Sequence, residues 1–415
     1  MSYELFIARR LQLGGNNRRS PSASIIIATV GIALSLAVMM TTMFIVVGFK
    51  HAIRDKVMGF DAHLTLHPEI INYDDLPFLT LSPGLEKVIK ETPGIDSYSL
   101  AIKQPGVLKT DSDFQAIVLK SLEPGKSQEF INENLTEGGI PDYSQEEEKN
   151  KIVISSTTAD KLSLKPGDKM YAYFFIDDAI KTRRVEVSGI YDTHFSDYDN
   201  IYAFAGLEML RQLNNLSDDQ GNMLEMRVNQ IDSIDSIALN LQNRLIEAYN
   251  NGEFEGSFSL STVNGTAFSY FNWLALLDTN VIVIIILMMI VTGFTLVSSL
   301  FIIILERVNM IGVLKALGSS NREIRRIFII MTQRLVIRGM IIGNIIGLTF
   351  LLLQQQYHLV PLNPDSYYLN YVPVEINLWS LILLNIGVFV TSWLITLLPS
   401  RIVAGISPRE TINYE

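Results

Sequence analysis

Two pairs of polar side chains have the residue types that metal binding or acid–base catalysis requires. His63 and His67 lie four residues apart in the segment HLTLH, and Asp177 is followed directly by Asp178. A strand would separate the two imidazoles by about 13 Å, which is too far for a shared metal ion. Adjacent aspartates in a strand point to opposite faces, and the tip of a hairpin is a simpler location for them. The pattern therefore predicts neither a metal site nor a catalytic pair of carboxylates.

A phosphate-binding loop is the third chemical possibility, and the sequence lacks its first glycine. Residues 123–127 are EPGKS, whereas the pattern G-x-x-x-x-G-K-[ST] requires glycine at the position of Lys120. We find no nucleophile motif, and the apolar segments carry no embedded charge of the kind that proton relays use. We therefore expect a chain that is not itself a catalyst and binds no cofactor directly.

Apolar segments long enough to cross a lipid bilayer dominate the rest of the sequence. The chain has 415 residues, 48% of them hydrophobic, and four stretches of it contain no Lys, Arg, Asp or Glu. About 20 apolar residues in a helix span the ~30 Å hydrocarbon layer. We therefore predict a membrane α-helical protein with four transmembrane helices, at residues 22–49, 280–305, 339–357 and 377–398.

The distribution of cations predicts how these helices are oriented. Residues 1–49, 306–353 and 399–415 together hold 13 Lys or Arg against 5 Asp or Glu, whereas residues 50–279 hold 20 against 36. Because short loops rich in Lys and Arg stay inside, both termini are expected in the cytoplasm and the large loop outside. The first apolar stretch is too long for a cleavable signal and is expected to be an uncleaved anchor. The chain is therefore expected to cross the membrane four times and to return its C-terminus to the starting side.

The segments between the helices complete the predicted organisation. Residues 1–21 suit an interfacial helix and linker on the cytoplasmic side, and residues 306–338 a short capped helix followed by a basic helix. Residues 358–376 form a short periplasmic loop, and residues 399–415 a cytoplasmic tail. The 50–279 segment alternates short strand and helix patterns, which predicts a large extracytoplasmic α+β domain inserted between helices 1 and 2.

Within this outer segment the pattern favours two parts, one built from both ends of the loop and one from its middle. Residues 97–109 predict a single strand, and residues 133–150 are acidic and rich in turn residues. A helix at 233–249 between strands at 223–228 and 257–262 predicts a strand–helix–strand unit. The chain contains no cysteine, so the domain must be stabilised by its core rather than by disulfides.

Small residues recur at four-residue spacing in two of the apolar helices. Gly31 and Ser35 form such a pair in the first, and Gly339, Gly343 and Gly347 form a longer row in the third. Small residues on one helix face let a second helix approach closely in a membrane. We predict helix-packing seams at these five positions, in a tight bundle or a dimer.

Residues 306–326, ERVNMIGVLKALGSSNREIRR, are the most structured loop pattern in the chain. Apolar residues recur at every third position and indicate a helical face: Val308, Ile311, Leu314 and Leu317. Gly318 is typical of a helix C-cap, and Ser320 with Glu323 forms a capping box that begins the next helix. This pattern favours either a docking point for a soluble partner or an ordinary basic cytoplasmic loop.

The same segment carries a family resemblance. ERVNMIGVLKALGSSNREIRRIF resembles the region between the second and third spans of FtsX/MacB-type (type VII) ABC transporter permeases, commonly E-R-x-x-x-I-G-x-L-[KR]-A-L-G. Four further segments are similar to the lipoprotein-releasing LolC/LolE branch: FIARRL, VVGFKHAIRDKVMGFDAHLTL, YHLVPLNPDSYYLNYVPVEINLW and PSRIVAGISPRETINYE.

The resemblance implies a location in a bacterial inner membrane, with partners on both sides of it. It implies a second permease copy or paralogue and a cytoplasmic LolD-like ABC ATPase dimer, which would hold ATP and Mg. Lipoproteins drawn from the membrane lipid would be the substrates, with no role for nucleic acid. The ATPase-coupling residues implied by the motif are Glu306, Arg307, Ile311, Gly312, Leu314, Lys315, Ala316, Leu317 and Gly318.

A LolA-type periplasmic chaperone is the further partner that the resemblance implies. The family's carrier-binding hook is a longer hairpin than the one expected here. The corresponding residues are Phe174, Phe175, Ile176, Asp177, Asp178, Ala179 and Ile180. Two alternative functions stay open: a MacB-like efflux or mechanotransmission permease, and an FtsX-like regulator of cell-wall hydrolases.

Overall fold

The computed structural model describes residues 23–69, 78–122, 125–176 and 179–400. The predicted interfacial helix at 1–21 therefore lies outside the described residues, as does the predicted tail beyond Ser400. Glu123 of the EPGKS segment and the pair Asp177 and Asp178 also lie outside them.

Helices occur along the whole of the described chain. They are α1 (Ala23–Phe60), α2 (Pro83–Glu91), α3 (Lys126–Glu133), α4 (Ser156–Leu162), α5 (Ser196–Asp199), α6 (Leu207–Asn214), α7 (Ile234–Asn250), α8 (Val263–Thr266), α9 (Phe268–Glu306), α10 (Val308–Ala316), α11 (Asn321–Tyr357), α12 (Pro364–Tyr367) and α13 (Leu378–Ser400). Two short 3₁₀ turns lie at Glu146–Glu148 and Ile231–Ser233.

The described strands lie between α1 and α8. They are β1 (Leu64–Pro68), β2 (Leu79–Thr80), β3 (Ile95–Ala101), β4 (Lys103–Lys109), β5 (Phe114–Ser121), β6 (Leu135–Gly138), β7 (Lys151–Ser155), β8 (Lys169–Ile176), β9 (Ala179–Tyr191), β10 (Tyr202–Ala205), β11 (Gln220–Gly221), β12 (Met223–Val228) and β13 (Phe258–Thr262).

The chain divides into two compact units. The helical unit contains the residues up to Lys50, Leu274–Pro361 and the residues from Tyr371 onward. The α+β unit contains His51–Trp273 and a short return segment, Leu362–Asn370.

Four helices, α1, α9, α11 and α13, are long and apolar enough to cross a membrane, as predicted. Three of them extend ten or more residues beyond the predicted spans, because charged residues end an apolar stretch of sequence without ending a helix. Thus α1 continues to Phe60, α9 begins at Phe268, and α11 begins at Asn321. The predicted boundary at 338/339 is not a break, since a single interior glycine, Gly339, costs a helix only about 1 kcal/mol.

Side chains from all four long helices share one apolar core in the helical unit. Met40 and Phe44 of α1 are fully buried there with Leu351 of α11, Leu384 of α13 and the partly buried Met288 of α9. The predicted bundle is therefore packed helix against helix rather than built from isolated anchors.

A four-stranded antiparallel sheet combines both ends of the outer segment. Its strand order is β13-β1-β12-β3. Since β1 pairs antiparallel with both β12 and β13, and β12 antiparallel with β3, the units β1-α2-β3 and β12-α7-β13 are two split β-α-β motifs. The predicted strand–helix–strand unit at 223–262 is the second of these.

The middle of the outer segment forms a second sheet whose pairing closes on itself. The order is β6-β9-β7-β10-β5-β4-β8, and the 13-residue strand β9 also pairs with β8. The N-terminal part of β9 pairs with β8 and its C-terminal part with β7. Closure pairs β8, which would otherwise be a free edge, whereas the short β6, bonded only to β9, stays at an edge of the sheet. The two sheets correspond to the predicted division of the outer segment into two parts.

One prediction about the strands of this segment was wrong. Residues 97–109 are not one strand: β3 and β4 belong to different sheets, and the chain changes sheet at the buried Ile102, which exchanges backbone and side-chain hydrogen bonds with Ser121. The stretch 133–150, predicted to be acidic and rich in turn residues, also contains the short strand β6, which pairs with β9. Pairing with a distant strand outweighed the local turn composition.

The return segment Leu362–Asn370 is held in the α+β unit by polar and aromatic contacts. The Tyr368 hydroxyl donates to Asp197 Oδ2 at 3.0 Å, and Tyr270 donates to the same oxygen at 2.6 Å. The Tyr368 ring meets Phe195 edge-on, with centroids 4.9 Å apart. Lys56 Nζ donates to the Tyr368 carbonyl oxygen at 2.6 Å. The return segment is thus an integral part of this unit, although it lies between α11 and α13 in the sequence.

Candidate functional site

The segment between α9 and α11 is a short helix set between two sharp turns. α9 ends at Glu306, Arg307 is the N-cap of α10, and the Ile311 amide donates to the Arg307 carbonyl. Ile311 is completely buried and packs in one apolar cluster with residues of the two flanking helices, among them Ile304 of α9 and Phe328 of α11. This packing fixes α10 against both of its neighbours.

The turn after α10 has the geometry that its glycine predicts. Gly318 adopts φ +94°, the left-handed region that favours glycine. The Gly318 amide donates to the Lys315 carbonyl and the Ser319 amide to the Leu314 carbonyl, both at 3.0 Å. These two bonds make a Schellman motif, which satisfies carbonyl groups at the helix end.

The predicted capping box at the start of α11 is confirmed. Glu323 N donates to Ser320 Oγ at 3.3 Å, and Ser320 N donates to Glu323 Oε2 at 2.8 Å. Ile324 and Phe328 are buried on one face of the following turns, whereas Arg322 is exposed on the other. Both ends of the turn are therefore fixed by local hydrogen bonds.

The predicted apolar face of α10 is only partly buried, which corrects the sequence interpretation. Ile311 is buried and Leu314 half-buried, but Leu317 is 79% exposed. In a helix of 3.6 residues per turn, side chains three positions apart differ in direction by about 60° around the helix axis. Residues at that spacing therefore cannot all face one way, and Leu317 is the C-cap rather than a helical residue.

This arrangement leaves an exposed patch on the outside of the turn, defined here as Val313, Ala316, Leu317 and Gly318. All four residues are exposed. Apart from the chain neighbours of Gly318, no heavy atom of the described residues lies within 4 Å of the position that a Gly318 Cβ would take. The patch is therefore open to a partner.

The remaining residues assigned to coupling differ in exposure. Glu306 is exposed, Arg307 and Lys315 are half-buried, and Gly312 is buried next to Ile311. The structure thus separates the predicted coupling residues into a supporting side, which packs against the flanking helices, and an outward side, which carries the exposed patch.

The three glycines of α11 that were predicted to pack helices lie in close contact with α1. A Cβ on Gly343 would lie 2.7 Å from the Ala33 carbonyl oxygen, and one on Gly339 2.9 Å from the Ile32 Cβ. Gly347 faces the same helix, α1, at Met40. These three glycines form the packed seam between α1 and α11.

The pair on α1 has a different environment. A Cβ on Gly31 would lie 2.9 Å from Thr295 Cγ2 of α9, and Ser35 is buried. α1 therefore approaches α11 through the packed seam and α9 through Gly31.

The hairpin predicted to contact a carrier has one face in the core and one in solvent. Phe174 is fully buried, so it belongs to the core and not to a contact surface, because successive residues of a strand point to opposite sides. Phe175 is 71% exposed and pairs across the hairpin with the exposed Ile180. Ile176 is half-buried and pairs with the exposed Ala179.

His63 and Ser127, which were considered above for metal and phosphate binding, have structural roles. His63 is buried, and its Nδ1 accepts a hydrogen bond from the Val228 amide at 2.9 Å. Ser127 accepts a 2.7 Å hydrogen bond from Arg227 Nη2. Within the described ranges no group of three or more His, Asp or Glu side chains could hold a metal ion.

Sequence reasoning missed a buried ionic cluster around the end of α1. Lys120 is only 1% exposed, and its Nζ contacts Glu225 Oε1 at 2.6 Å and the Phe60 carbonyl oxygen at 2.5 Å. Arg227 Nη1 donates to the Met58 carbonyl oxygen at 3.2 Å. Cations at a helix C-terminus satisfy its free carbonyls and complement its dipole. No local sequence signal marks these residues, because Lys120 lies in an ordinary strand pattern.

A second ion pair extends the cluster. Lys103 Nζ contacts Asp61 Oδ1 at 2.7 Å, and the Tyr198 hydroxyl donates to Asp61 Oδ2 at 3.1 Å. Burial raises the pKa of Asp61, but Lys103 and Lys120 outweigh it and hold that pKa below its usual value. Burial lowers the pKa of Lys120, and the Glu225 carboxylate opposes this shift. The last turn of α1 is thus anchored in the α+β unit by charge as well as by packing.

Family models match two regions of the chain. The MacB-like periplasmic core domain model matches residues 25–244, and the FtsX-like permease C-terminal model matches residues 282–408. Since the first match covers more than half of the sequence, the chain belongs to the MacB-like periplasmic core domain family. It is a multi-pass membrane protein with a periplasmic α+β domain and an FtsX-like permease region, as the resemblance predicted.

Individual relatives match over nearly the whole length. The lipoprotein-releasing system transmembrane protein LolC of Xylella fastidiosa is 22% identical over 402 residues, 93% of this chain and 92% of the relative. LolE of Haemophilus influenzae is 21% identical over 433 residues and covers all of both chains. The solved periplasmic region of MacB from Actinobacillus actinomycetemcomitans matches 52% of this chain and 96% of its own, with 9% identity and a TM-score of 0.33.

Proposed function

We propose that this protein is the permease subunit of an ABC transporter that extracts lipoproteins from the inner membrane. A separate cytoplasmic ATPase dimer binds ATP and Mg and drives the extraction, and a periplasmic carrier of the LolA type receives the lipoprotein. A second copy of the chain or a paralogue completes the transporter. The observation that carries this proposal is the exposed patch on the turn between α9 and α11.

The chemistry of the exposed patch suits a protein partner rather than solvent. Leu317 and Val313 place branched apolar side chains on the outside of a turn that is fixed by two caps. Covering such surface is favourable by about 25 cal/mol per Å². A rigid apolar projection flanked by arginines is a suitable contact for a groove on an ATPase.

The connections of α10 support a role in force transmission. Ile311 joins α10 to the apolar cluster shared with α9 and α11. A force applied to α10 is therefore transmitted to both long helices. α11 is continuous to Tyr357, and near its end Gln354 Nε2 donates to the Val372 carbonyl while Gln354 Oε1 accepts from the Val360 amide. Gln354 therefore connects the loop after α11 to the helix that transmits the force.

The cost of the proposed task requires an external energy source. Removing an acyl chain from a bilayer costs about 0.8 kcal/mol per CH₂, so a lipid anchor with two or three chains costs on the order of tens of kcal/mol. Spontaneous release at that cost is negligible. The full-length similarity to proteins named LolC and LolE supports lipoproteins as the substrate class.

The proposed orientation puts both termini and α10 in the cytoplasm and the α+β unit in the periplasm. The excess of cations in residues 306–353 and the acidic balance of residues 50–279 support it. On the periplasmic side, Phe175 and Ile180 offer an exposed apolar pair at a hairpin tip, which suits a contact with the carrier.

The experiment compares Leu317→Asp with Leu239→Asp in cells depleted of the native protein. Leu239 of α7 is 61% exposed, so it provides a matched apolar-to-acid change away from the exposed patch. We expect Leu317→Asp to lose at least tenfold of the co-purified ATPase, because a desolvated carboxylate costs more than about 1.4 kcal/mol. Lipoproteins should then stay in the inner membrane, while Leu239→Asp restores sorting.

Two results would contradict the proposal. ATPase recovery that is equal for both variants would mean that the ATPase contact lies elsewhere. Normal lipoprotein sorting after depletion, together with capture of an efflux partner or a cell-wall hydrolase, would assign the protein to one of the two alternative functions.

A further inference from the structure

An apolar groove on the helical unit has no role in the proposed transport cycle. It lies between α1 and α11 and has a volume of about 400 Å³, within the range of small-molecule sites. α1 contributes Ile26, Thr29 and Val30, and α11 contributes Arg338 and Ile342. The residue after Arg338 is the first glycine of the packed seam, so the two walls are held at a fixed spacing.

The walls of this groove offer one charge and little other polarity. The Thr29 hydroxyl donates to the Ile25 carbonyl oxygen of its own helix at 2.8 Å, so its proton is already used. Arg338 is exposed, and within the described part of the chain its guanidinium has no hydrogen-bond or ion-pair partner. The groove therefore combines an apolar surface with a cation that has no partner among the residues that the structure describes.

The occupant that matches this combination is a lipid with a negative headgroup. A guanidinium forms paired, charge-assisted hydrogen bonds to phosphate oxygens. The exposed side chains of Ile26, Val30 and Ile342 suit an acyl chain, since both helices are apolar enough to lie in a bilayer. A soluble anion would leave these apolar walls uncovered.

We propose that the groove binds one anionic phospholipid, with its phosphate on Arg338 and an acyl chain between α1 and α11. This site goes beyond the proposed function, because its ligand is a membrane lipid that stays with the permease rather than the transported lipoprotein. The lipid covers the outer side of the packed seam and so stabilises the contact between the two helices.

The test uses photo-crosslinking of the full chain in nanodiscs of mixed phosphatidylcholine and phosphatidylglycerol. A trace of either lipid carries a diazirine in its acyl chain, and the labelled peptides are identified by mass spectrometry. We expect about fivefold more labelling of the groove peptides by phosphatidylglycerol than by phosphatidylcholine. Arg338→Gln should reduce this ratio to about one, whereas Arg334→Gln, one turn earlier and outside the groove, should keep it.

A second pair of variants tests occupancy independently of charge. Ile342→Trp fills the groove and should lower its labelling by both lipids at least threefold. Ile345→Trp, also exposed on α11 but outside the groove, should not. Equal labelling by both lipids in the native chain would overturn the proposal. So would a loss with Arg334→Gln equal to that with Arg338→Gln, or unchanged labelling with Ile342→Trp.

Discussion

The α+β unit and the helical unit bury polar groups in different ways. In the α+β unit a full ion pair, Lys120 with Glu225, is buried at the end of α1. In the helical unit the corresponding pair is neutral and half-buried: Asn344 and Asn385 exchange hydrogen bonds between α11 and α13 at 2.7 and 3.1 Å. Each amide nitrogen also donates to a carbonyl of its own helix.

The difference follows from what drives assembly in each environment. An α+β domain folding from water gains from apolar burial and can include a charge that is fully paired. Helices already in lipid gain little from apolar contact, so they associate through close packing and neutral hydrogen bonds. In this protein the packed seam provides the close packing, and the asparagine pair provides the neutral hydrogen bonds. Three experiments test the comparison, in order of expected effect.

Lys120→Met should have the largest effect on stability. It leaves Glu225 buried without its partner and removes the cation from the Phe60 carbonyl, which costs about 3–5 kcal/mol. The loss in the free energy of unfolding is measured by urea unfolding of the full chain in detergent, followed by intrinsic protein fluorescence. Lys169→Met is the matched control, because its ion pair with Glu186 is far more exposed than that of Lys120 and contributes about 0–1 kcal/mol. Similar losses in both variants would show that burial of the pair does not matter.

Gly343→Ala should have the next largest effect. The added methyl group meets the Ala33 backbone oxygen at 2.7 Å, so α1 and α11 must separate, at a cost of about 1–3 kcal/mol. Gly387→Ala is the control on α13, where the nearest atom is Met289 Cε at 3.9 Å and the change should be neutral or slightly stabilising. Thermal unfolding in detergent distinguishes the two. A neutral Gly343→Ala would mean that close approach at the packed seam is unimportant.

Features set by neighbouring residues could be predicted from the sequence. The capping box at Ser320 and the left-handed Gly318 depend on hydrogen bonds within a few positions, and both were found. The four long helices followed from charge-free windows, although their ends did not, because charges at Asp55 or Lys56 do not stop a helix. The orientation and the coupling role stay predictions.

Features set by distant partners could not be predicted. Lys120 and Glu225 lie in separate strands, and only the fold brings their side chains together. The division of residues 97–109 at Ile102 depends on two sheets that the local pattern does not define. Phe174 was assigned to a contact surface although strand alternation places it inside, since the register of β8 was unknown.

The smallest expected effect belongs to the asparagine pair, and a double-mutant cycle can measure it. Asn344→Ala and Asn385→Ala each leave one amide without its partner across α11 and α13. Such side-chain hydrogen bonds in membranes contribute only about 0.6 kcal/mol on average, because the separated helices find other partners. We therefore expect a coupling free energy of about that size in mixed-micelle unfolding, well below the loss at Lys120. A coupling of zero would mean that the pair sets the register of the helices without stabilising them, and a value above about 2 kcal/mol would remove the contrast between the two units.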